Sequence, residues 1–159
     1  MENNKPQKKD AHQAWIAIQK YCAYQERCHQ EVRSRLYDYG LHTEDVEEII
    51  YQLIQENFIN EERFAKAYVG GKFRVKKWGK QKILSELKRR KISDYCINKA
   101  FSLIEDEAYI ETLNKVIERK ERDYRSVKND FERNQKIARY CYSRGFESDL
   151  IWEILKTRA

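Results

Sequence analysis

The sequence predicts an all-α protein of three tandem three-helix repeats, similar to helix-turn-helix units, in an elongated, modular arrangement. Pro6 is the only proline and glycine occurs only five times, so little interrupts helices. Apolar residues recur at the 3.6-residue period of an α-helix, as in the stripe from Val46 to Ile54. The chain also resembles itself. The segment "QEVRSRLYDYGLHTEDVEEII", which begins at Gln30, aligns without a gap with segments that begin at Gln81 and Gln135.

The elements follow in order from this alignment. The polar start, "MENNKPQKKDAHQ", lacks the apolar centre of a signal peptide, and we expect a disordered tail over residues 1–11. Three-helix repeats are then predicted over 12–57, 58–104 and 105–159. Each repeat opens with its own first helix, at about 13–26, 60–77 and 107–124, and the aligned segment supplies the other two.

A turn separates the last two helices of each repeat. The turn residues are Gly40, Lys91 and Gly145. Glycine just past a helix end adopts the left-handed conformation that stops the helix, so a lysine there predicts a differently shaped middle turn. The predicted N-caps of the third helices are Thr43, Asp94 and Ser148, and Asn60 is the predicted N-cap of the helix that opens the second repeat.

Positive charge is concentrated in "GGKFRVKKWGKQKILSELKRRK", residues 70–91. This segment has ten Lys or Arg against one acid, Glu86, which gives +9 where the whole chain carries +6. Such crowded cations repel one another unless a polyanion or an acidic partner offsets them; a solvated helix face is the alternative. The candidate nucleic-acid or filament-binding residues are Lys72, Arg74, Lys76, Lys77, Lys80, Lys82, Lys88, Arg89 and Arg90.

Phe73 is a candidate partner contact. If the helix runs through residues 60–77, Phe73 projects away from the apolar face that carries Phe64, Tyr68 and Val75, and it lies among lysines. An exposed aromatic ring among cations suits stacking or partner binding. Packing against a neighbouring repeat is an equal alternative.

The segment from 43 to 62 has the opposite charge, with seven acids and no Lys or Arg. Acids at two helix starts are favourable because they interact with the helix dipole. Contact with a basic partner, or with residues 70–91 of another copy, is the functional alternative.

Several function classes lack support in the sequence. The four cysteines form no C-x-x-C pair, which indicates free thiols in a reducing cytoplasm. No glycine-rich phosphate loop, metal-binding motif or catalytic set is present, so we expect no enzyme, cofactor or metal. No apolar run is long enough to predict a membrane span.

The middle of the chain resembles the RecX family, regulators of the bacterial RecA recombinase. "FINEERFAKAYVGG" is similar to the family motif F-I-[DN]-[DE]-x-R-F-A-x-x-[YF], and Trp78-Gly79, Glu86 and Leu87 match its continuation. The closing "RGF" helix pair of the third repeat is also similar, and the resemblance covers about residues 12–157. Lys91 and Cys28 depart from the family pattern, which has glycine and a capping serine at these positions.

The resemblance implies a non-enzymatic regulator of DNA repair and recombination. It would lie in the deep groove of the RecA–DNA filament and inhibit the ATPase and strand exchange of the recombinase. The implied partners are the RecA filament and single- or double-stranded DNA without sequence specificity, bound by a monomer.

Two other functions compete with this expectation. A helix-turn-helix transcription factor would need basic or amide side chains on its third helices, whereas the first repeat offers Glu44, Glu47 and Glu48 there. A helical-repeat DNA-binding or protein-scaffold module that does not act on RecA is the remaining alternative. The salt dependence of DNA affinity separates phosphate contact from a pure scaffold.

Overall fold

The computed structural model describes residues 6–158, and the regular elements in that range are all helices, which confirms the all-α prediction. Residues 1–5 of the predicted tail lie outside the described residues. Beyond them, Lys9 donates its N–H to the Tyr39 carbonyl at 3.0 Å and Asp10 caps the first helix. The helices are α1 (Ala11–Tyr24), α2 (His29–Asp38), α3 (Thr43–Gln55), α4 (Glu61–Arg74), α5 (Lys80–Arg89), α6 (Asp94–Phe101), α7 (Asp106–Asp123), α8 (Asp130–Ser143) and α9 (Ser148–Thr157).

The helices group into three triplets, α1–α3, α4–α6 and α7–α9, and the extensive helix contacts run within each triplet. Asn60 caps α4 as predicted, through a bond from the Arg63 N–H to its side chain. The caps predicted for the third helices are wrong by one residue. Thr43, Asp94 and Ser148 are the first helical residues, and the N-caps are His42, Ser93 and Glu147. The pattern could not separate the positions because adjacent polar residues compete for the cap.

Three triplets share two hydrophobic cores. The first core belongs to α1–α3 and also takes in Ile59. The second is continuous through α4–α9, and Cys28 from the first triplet inserts into it. The second and third triplets are therefore one packed body, to which the first triplet attaches.

The four cysteines lie in the interior of the protein. Cys22, Cys28, Cys96 and Cys141 are free and buried, and burial raises the pKa of the Cys141 thiol to about 11.

No helix within residues 6–158 combines the length and the apolar character needed to cross a membrane.

The middle turn has the same shape as the other two, so the prediction of a different shape at Lys91 is wrong. Gly40, Lys91 and Gly145 have φ values of 88°, 59° and 100°. In each case the turn residue donates its N–H to the carbonyl three residues earlier, at 2.9 Å. A lysine accepts this left-handed conformation at a cost of about 1–2 kcal/mol, which the surrounding packing and hydrogen bonds outweigh.

We expect Lys91→Gly to raise the free energy of unfolding by about 1 kcal/mol, because glycine has no Cβ to strain at positive φ. Urea denaturation followed by circular dichroism measures the change. Lys88→Gly, at an exposed helical position of the same segment, is the control and should lower stability by about 0.5–1 kcal/mol. A loss of stability in both variants would contradict the assignment of strain to Lys91.

Candidate nucleic-acid and partner interface

Part of the predicted basic face is organised as a ladder of cations and aromatic rings. Lys72 Nζ lies 4.7 Å from the centre of the Trp78 ring, and Lys82 Nζ lies 4.2 Å from the same ring. Lys72 also lies 5.4 Å from the Tyr68 ring, on which Arg90 stacks at 4.9 Å. We call Lys82, Trp78, Lys72, Tyr68 and Arg90 the cation–aromatic ladder. Tyr68 and Lys72 meet because residues four apart share one face of α4, whereas the contacts of Trp78 and Arg90 arise from the packing of α4, α5 and the segment between them.

The ladder shows what holds three of the predicted cations in place. Lys72, Lys82 and Arg90 are half-buried, and each cation–ring contact is worth about 0.5–2 kcal/mol. Glu86 accepts a bond from Arg90 at 3.0 Å, and this bond lowers the pKa of Glu86. These contacts hold α4 against α5. A face of each aromatic ring in the ladder is therefore already occupied by a cation of the chain itself.

The remaining predicted cations lie in three places. Arg74 ends α4, and Lys76 and Lys77 follow it, all exposed. Lys88 and Arg89 are exposed in the last turn of α5. Lys80 begins α5 and lies 4.6 Å from the centre of the Tyr109 ring of the third triplet.

Little of this charge is neutralised by acids within the described residues. Among the nine predicted cations, Arg89 and Arg90 make ion pairs, both with Glu86 of their own helix, at 3.6 and 3.0 Å. Arg90 also reaches Glu31 of the first triplet at 4.0 Å. Arg89 is largely exposed, and an ion pair with such a side chain contributes about 0–1 kcal/mol. Most of the surplus therefore stays available to an external anion.

Phe73 is not on this surface, so the prediction of an exposed partner contact is wrong. Its side chain is buried in the second core, and its ring lies 5.8 Å from that of Tyr109. Val75, predicted to be buried, is 75% exposed. The reason is that α4 buries Phe64, Ala65, Val69 and Phe73 and ends at Arg74. Phe73 instead packs against the neighbouring triplet, which was the alternative interpretation.

The second and third triplets meet at a glycine contact, which we call the second joint. Gly79 donates its N–H to the Arg144 carbonyl at 2.8 Å, and Gln81 donates to that of Gly145 at 2.9 Å. A Cβ on Gly79 would lie 2.3 Å from the Gly145 carbonyl carbon, closer than atoms can approach. Only glycine allows the two main chains to touch here.

Tyr109 completes the second joint. Its hydroxyl accepts from the Lys80 N–H at 3.0 Å and donates to Glu147 at 2.5 Å. Burial, with the Glu147 hydrogen bond, raises the pKa of Tyr109 well above its ordinary value. Its ring packs 5.5 Å from that of Phe146. The hydroxyl thereby satisfies the otherwise unpaired start of α5.

The first and second triplets meet at the first joint, which is made of side chains. Arg63 donates to Glu26 at 2.7 Å and to the Phe58 carbonyl at 3.2 Å. Cys28 occupies the position that Gly79 holds one repeat later, and Lys91 corresponds to Gly145. A groove of 390 Å³ opens between α2 and the turn at Lys91. The two departures from the family pattern therefore fall on one joint.

The acidic segment 43–62 is partly used within the chain. Glu47 pairs with Arg33 at 2.8 Å and Glu62 with Lys66 at 2.9 Å. Glu61 accepts from the Ser93 N–H at 2.8 Å and ties the turn before α6 to the start of α4. Three of the acids in this segment therefore have partners within the chain itself.

Sequence reasoning missed a second basic cluster. Lys76 and Lys77 line a groove together with cations of the third triplet. The missed cations are Lys115, Arg119, Lys120 and Arg144. The spacing of Lys115 and Arg119, four apart on α7, was the available signal. No three His, Cys, Asp or Glu side chains of residues 6–158 come together in a way that could hold a metal ion.

Comparison with known proteins gives two three-helix domains that coincide with the second and third triplets. The pattern of the second three-helix domain of RecX matches residues 60–100, and that of the third matches residues 106–155. The crystal structure of RecX from Lactobacillus salivarius superposes with a TM-score of 0.81 at 26% identity, over 92% of this chain and 95% of that one.

Curated relatives agree. The regulatory protein RecX of Bacillus cytotoxicus is 27% identical over 143 residues, which cover 89% of this chain and 52% of that protein. The regulatory protein RecX of Lactobacillus johnsonii is 30% identical over 111 residues, or 70% of this chain and 41% of that protein. The chain spans about half the length of these curated relatives. With two domain matches and a shared architecture, the chain belongs to the RecX family of regulatory proteins.

Proposed function

We propose that the chain binds the RecA–DNA filament and inhibits the ATPase and strand exchange of the recombinase without catalysing a reaction. The contact is made by the exposed cations of the second triplet, Arg74, Lys76, Lys77, Lys88 and Arg89. The ladder cations position the helices that carry them. The observation that supports this proposal is the surplus of positive charge in residues 70–91. Within the described residues, only a few acids form ion pairs with these cations.

Unpaired charge and the linkage of three triplets together favour a long polyanionic partner. Phosphates or acidic side chains would relieve the repulsion among cations that the fold leaves unpaired. Linked triplets that each bind weakly gain avidity when all of them engage at once. Binding along a filament would compete with subunit addition and would lower ATP turnover.

We expect Lys88→Gln with Arg89→Gln to weaken inhibition of RecA ATPase on single-stranded DNA by about tenfold, because two exposed phosphate or carboxylate contacts are lost. The half-maximal inhibitory concentration is measured at about 50 and 200 mM salt, where wild-type inhibition should itself weaken steeply. Both residues are exposed, so the melting temperature should stay near that of the wild type.

Lys20→Gln with Lys156→Gln is the matched control, because it removes the same charge from exposed positions of α1 and α9. It should leave inhibition within about threefold of the wild type. Absence of any effect of the wild-type protein on RecA would refute the proposal and favour a scaffold with another partner. Unchanged inhibition by the Lys88 and Arg89 variant would exclude the end of α5 as the contact.

A further inference from the structure

A basic groove lies where the chain leaves α4 and crosses α7 and α8. Its volume is 460 Å³, which is in the range of sites for small ligands. One wall is the segment Val75–Lys77, and the other is formed by α7 and α8 of the third triplet. We call this the basic groove, and its lining residues are Val75, Lys76, Lys77, Thr112, Lys115, Val116, Arg119, Lys120, Asp123, Tyr140 and Arg144.

The lining is strongly cationic. Six of these residues are Lys or Arg, and Asp123 is the one acid among them. Asp123 pairs with Lys120 at 3.3 Å, and Lys115 pairs with Glu111 outside the groove at 3.2 Å. The ion pairs of the described residues do not include Lys76 or Arg119, one on each wall. A concave site with this balance concentrates anions.

Internal bonds hold the walls in position. Arg144 donates to the Lys76 carbonyl at 2.5 Å and so ties the turn after α8 to the opposite wall. Lys77 has φ 58° and donates from Nζ to the Arg74 carbonyl at 2.8 Å. Lys120 Nζ lies 3.9 Å from the centre of the Tyr140 ring. The groove is therefore shaped before any ligand enters, which reduces the entropy lost on binding.

The groove also has apolar surface. Val75 is 75% exposed at the rim, and Val116 and Tyr140 are half-buried. Phosphate alone needs no such surface, whereas a nucleotide presents both a phosphate and a flat apolar base. The volume of 460 Å³ admits a nucleotide-sized unit.

We propose that the basic groove binds the phosphates and a base of single-stranded polynucleotide, with Lys76 and Arg119 contacting phosphate from opposite walls. This inference deepens the proposed function, on which it rests, by assigning the DNA contact to a site between the second and third triplets. The ladder cations Lys72, Lys82 and Arg90 already lie over aromatic rings of the chain, whereas Lys76 and Arg119 make no cation–ring contact within residues 6–158.

The test is binding of a fluorescent thymidine oligonucleotide of about ten residues, a length typical of single-strand sites, measured by anisotropy. Lys76→Gln with Arg119→Gln should weaken binding by about tenfold and reduce the salt slope by about 1.5, as expected for two lost contacts to single-stranded phosphates. The control pair Lys20→Gln with Lys156→Gln should change affinity by less than about threefold. Wild-type affinity in the groove variant overturns the proposal.

Two further measurements distinguish a single-stranded polynucleotide from a free nucleotide and from a duplex. Thymidine monophosphate that displaces the oligonucleotide at equal phosphate concentration would assign the groove to a free nucleotide and overturn the polynucleotide assignment. An equal loss of duplex affinity in the groove variant would overturn the single-strand assignment.

RecA ATPase inhibition is measured in parallel with the same variant. Lost oligonucleotide binding with retained inhibition supports the groove and leaves the filament contact on α5. Intact oligonucleotide binding with lost inhibition assigns the groove to the recombinase surface and overturns the DNA assignment. Failure of the groove is thereby distinguishable from failure of the proposed function.

Discussion

Gly79→Ala is expected to lower the free energy of unfolding by about 3 kcal/mol or more, through overpacking and two weakened hydrogen bonds. The added Cβ would meet main-chain atoms of Gly145 and Phe146 at 2.3–2.4 Å. Main chain cannot rotate away as a side chain can, so the two triplets must separate locally. The bonds at risk are those from Gly79 and Gln81 to the turn after α8.

Gly79 is the better of the two glycines for this experiment. Its φ is −79°, so alanine there is unstrained and the effect reports the contact alone, whereas Gly145 has φ 100°. Guanidinium unfolding followed by tryptophan fluorescence, to which Trp15, Trp78 and Trp152 all contribute, measures the loss of stability. Gly71→Ala is the control: it lies in α4 with no atom within 4 Å of its added Cβ, and it should stabilise by about 0.5–1 kcal/mol. A Gly79→Ala protein as stable as the wild type would show that the main chains do not touch.

Phe73→Ala is expected to lower stability by about 3–5 kcal/mol, the usual cost of truncating a buried phenylalanine. The ring is 6% exposed and packs on Tyr109, so its loss opens a cavity between the second and third triplets. Thermal and urea unfolding measure the change, and RecA inhibition by the remaining folded protein should be preserved.

Phe131→Ala is the matched control. This ring is 73% exposed on α8, and its removal should change stability by less than about 0.5 kcal/mol. If Phe73→Ala left stability unchanged and abolished inhibition, Phe73 would be a partner contact after all and the packing described here would be wrong.

Phe73 and Val75 show where sequence reasoning reaches its limit. The helix of the second repeat was predicted correctly in type, because its caps and apolar spacing are local signals. Which face it buries depends on where Tyr109 lies, and that residue is more than 30 positions away. The early end of α4 at Arg74 then released Val75 to the surface.

The candidate site divides in the same way. The high charge density of residues 70–91 could be predicted from the sequence, and so could the presence of the aromatic residues that form the ladder. The basic groove was not, because Lys76 meets Arg119 and Arg144 only after two triplets pack together. Lys91 shows the converse: local preference predicted another turn, and the backbone hydrogen bonds of the repeat imposed the shared one.

The two joints hold neighbouring triplets together by different kinds of contact. Where Gly79 and Gly145 bring main chains into direct contact, the angle between neighbouring repeats is fixed. Where Cys28 and Lys91 stand instead, the joint is made by side chains: Cys28 packs into the second core, and Arg63 binds Glu26. A force that twists the chain should therefore be taken up first between the first and second triplets, because α4–α9 share one continuous core and direct main-chain contacts.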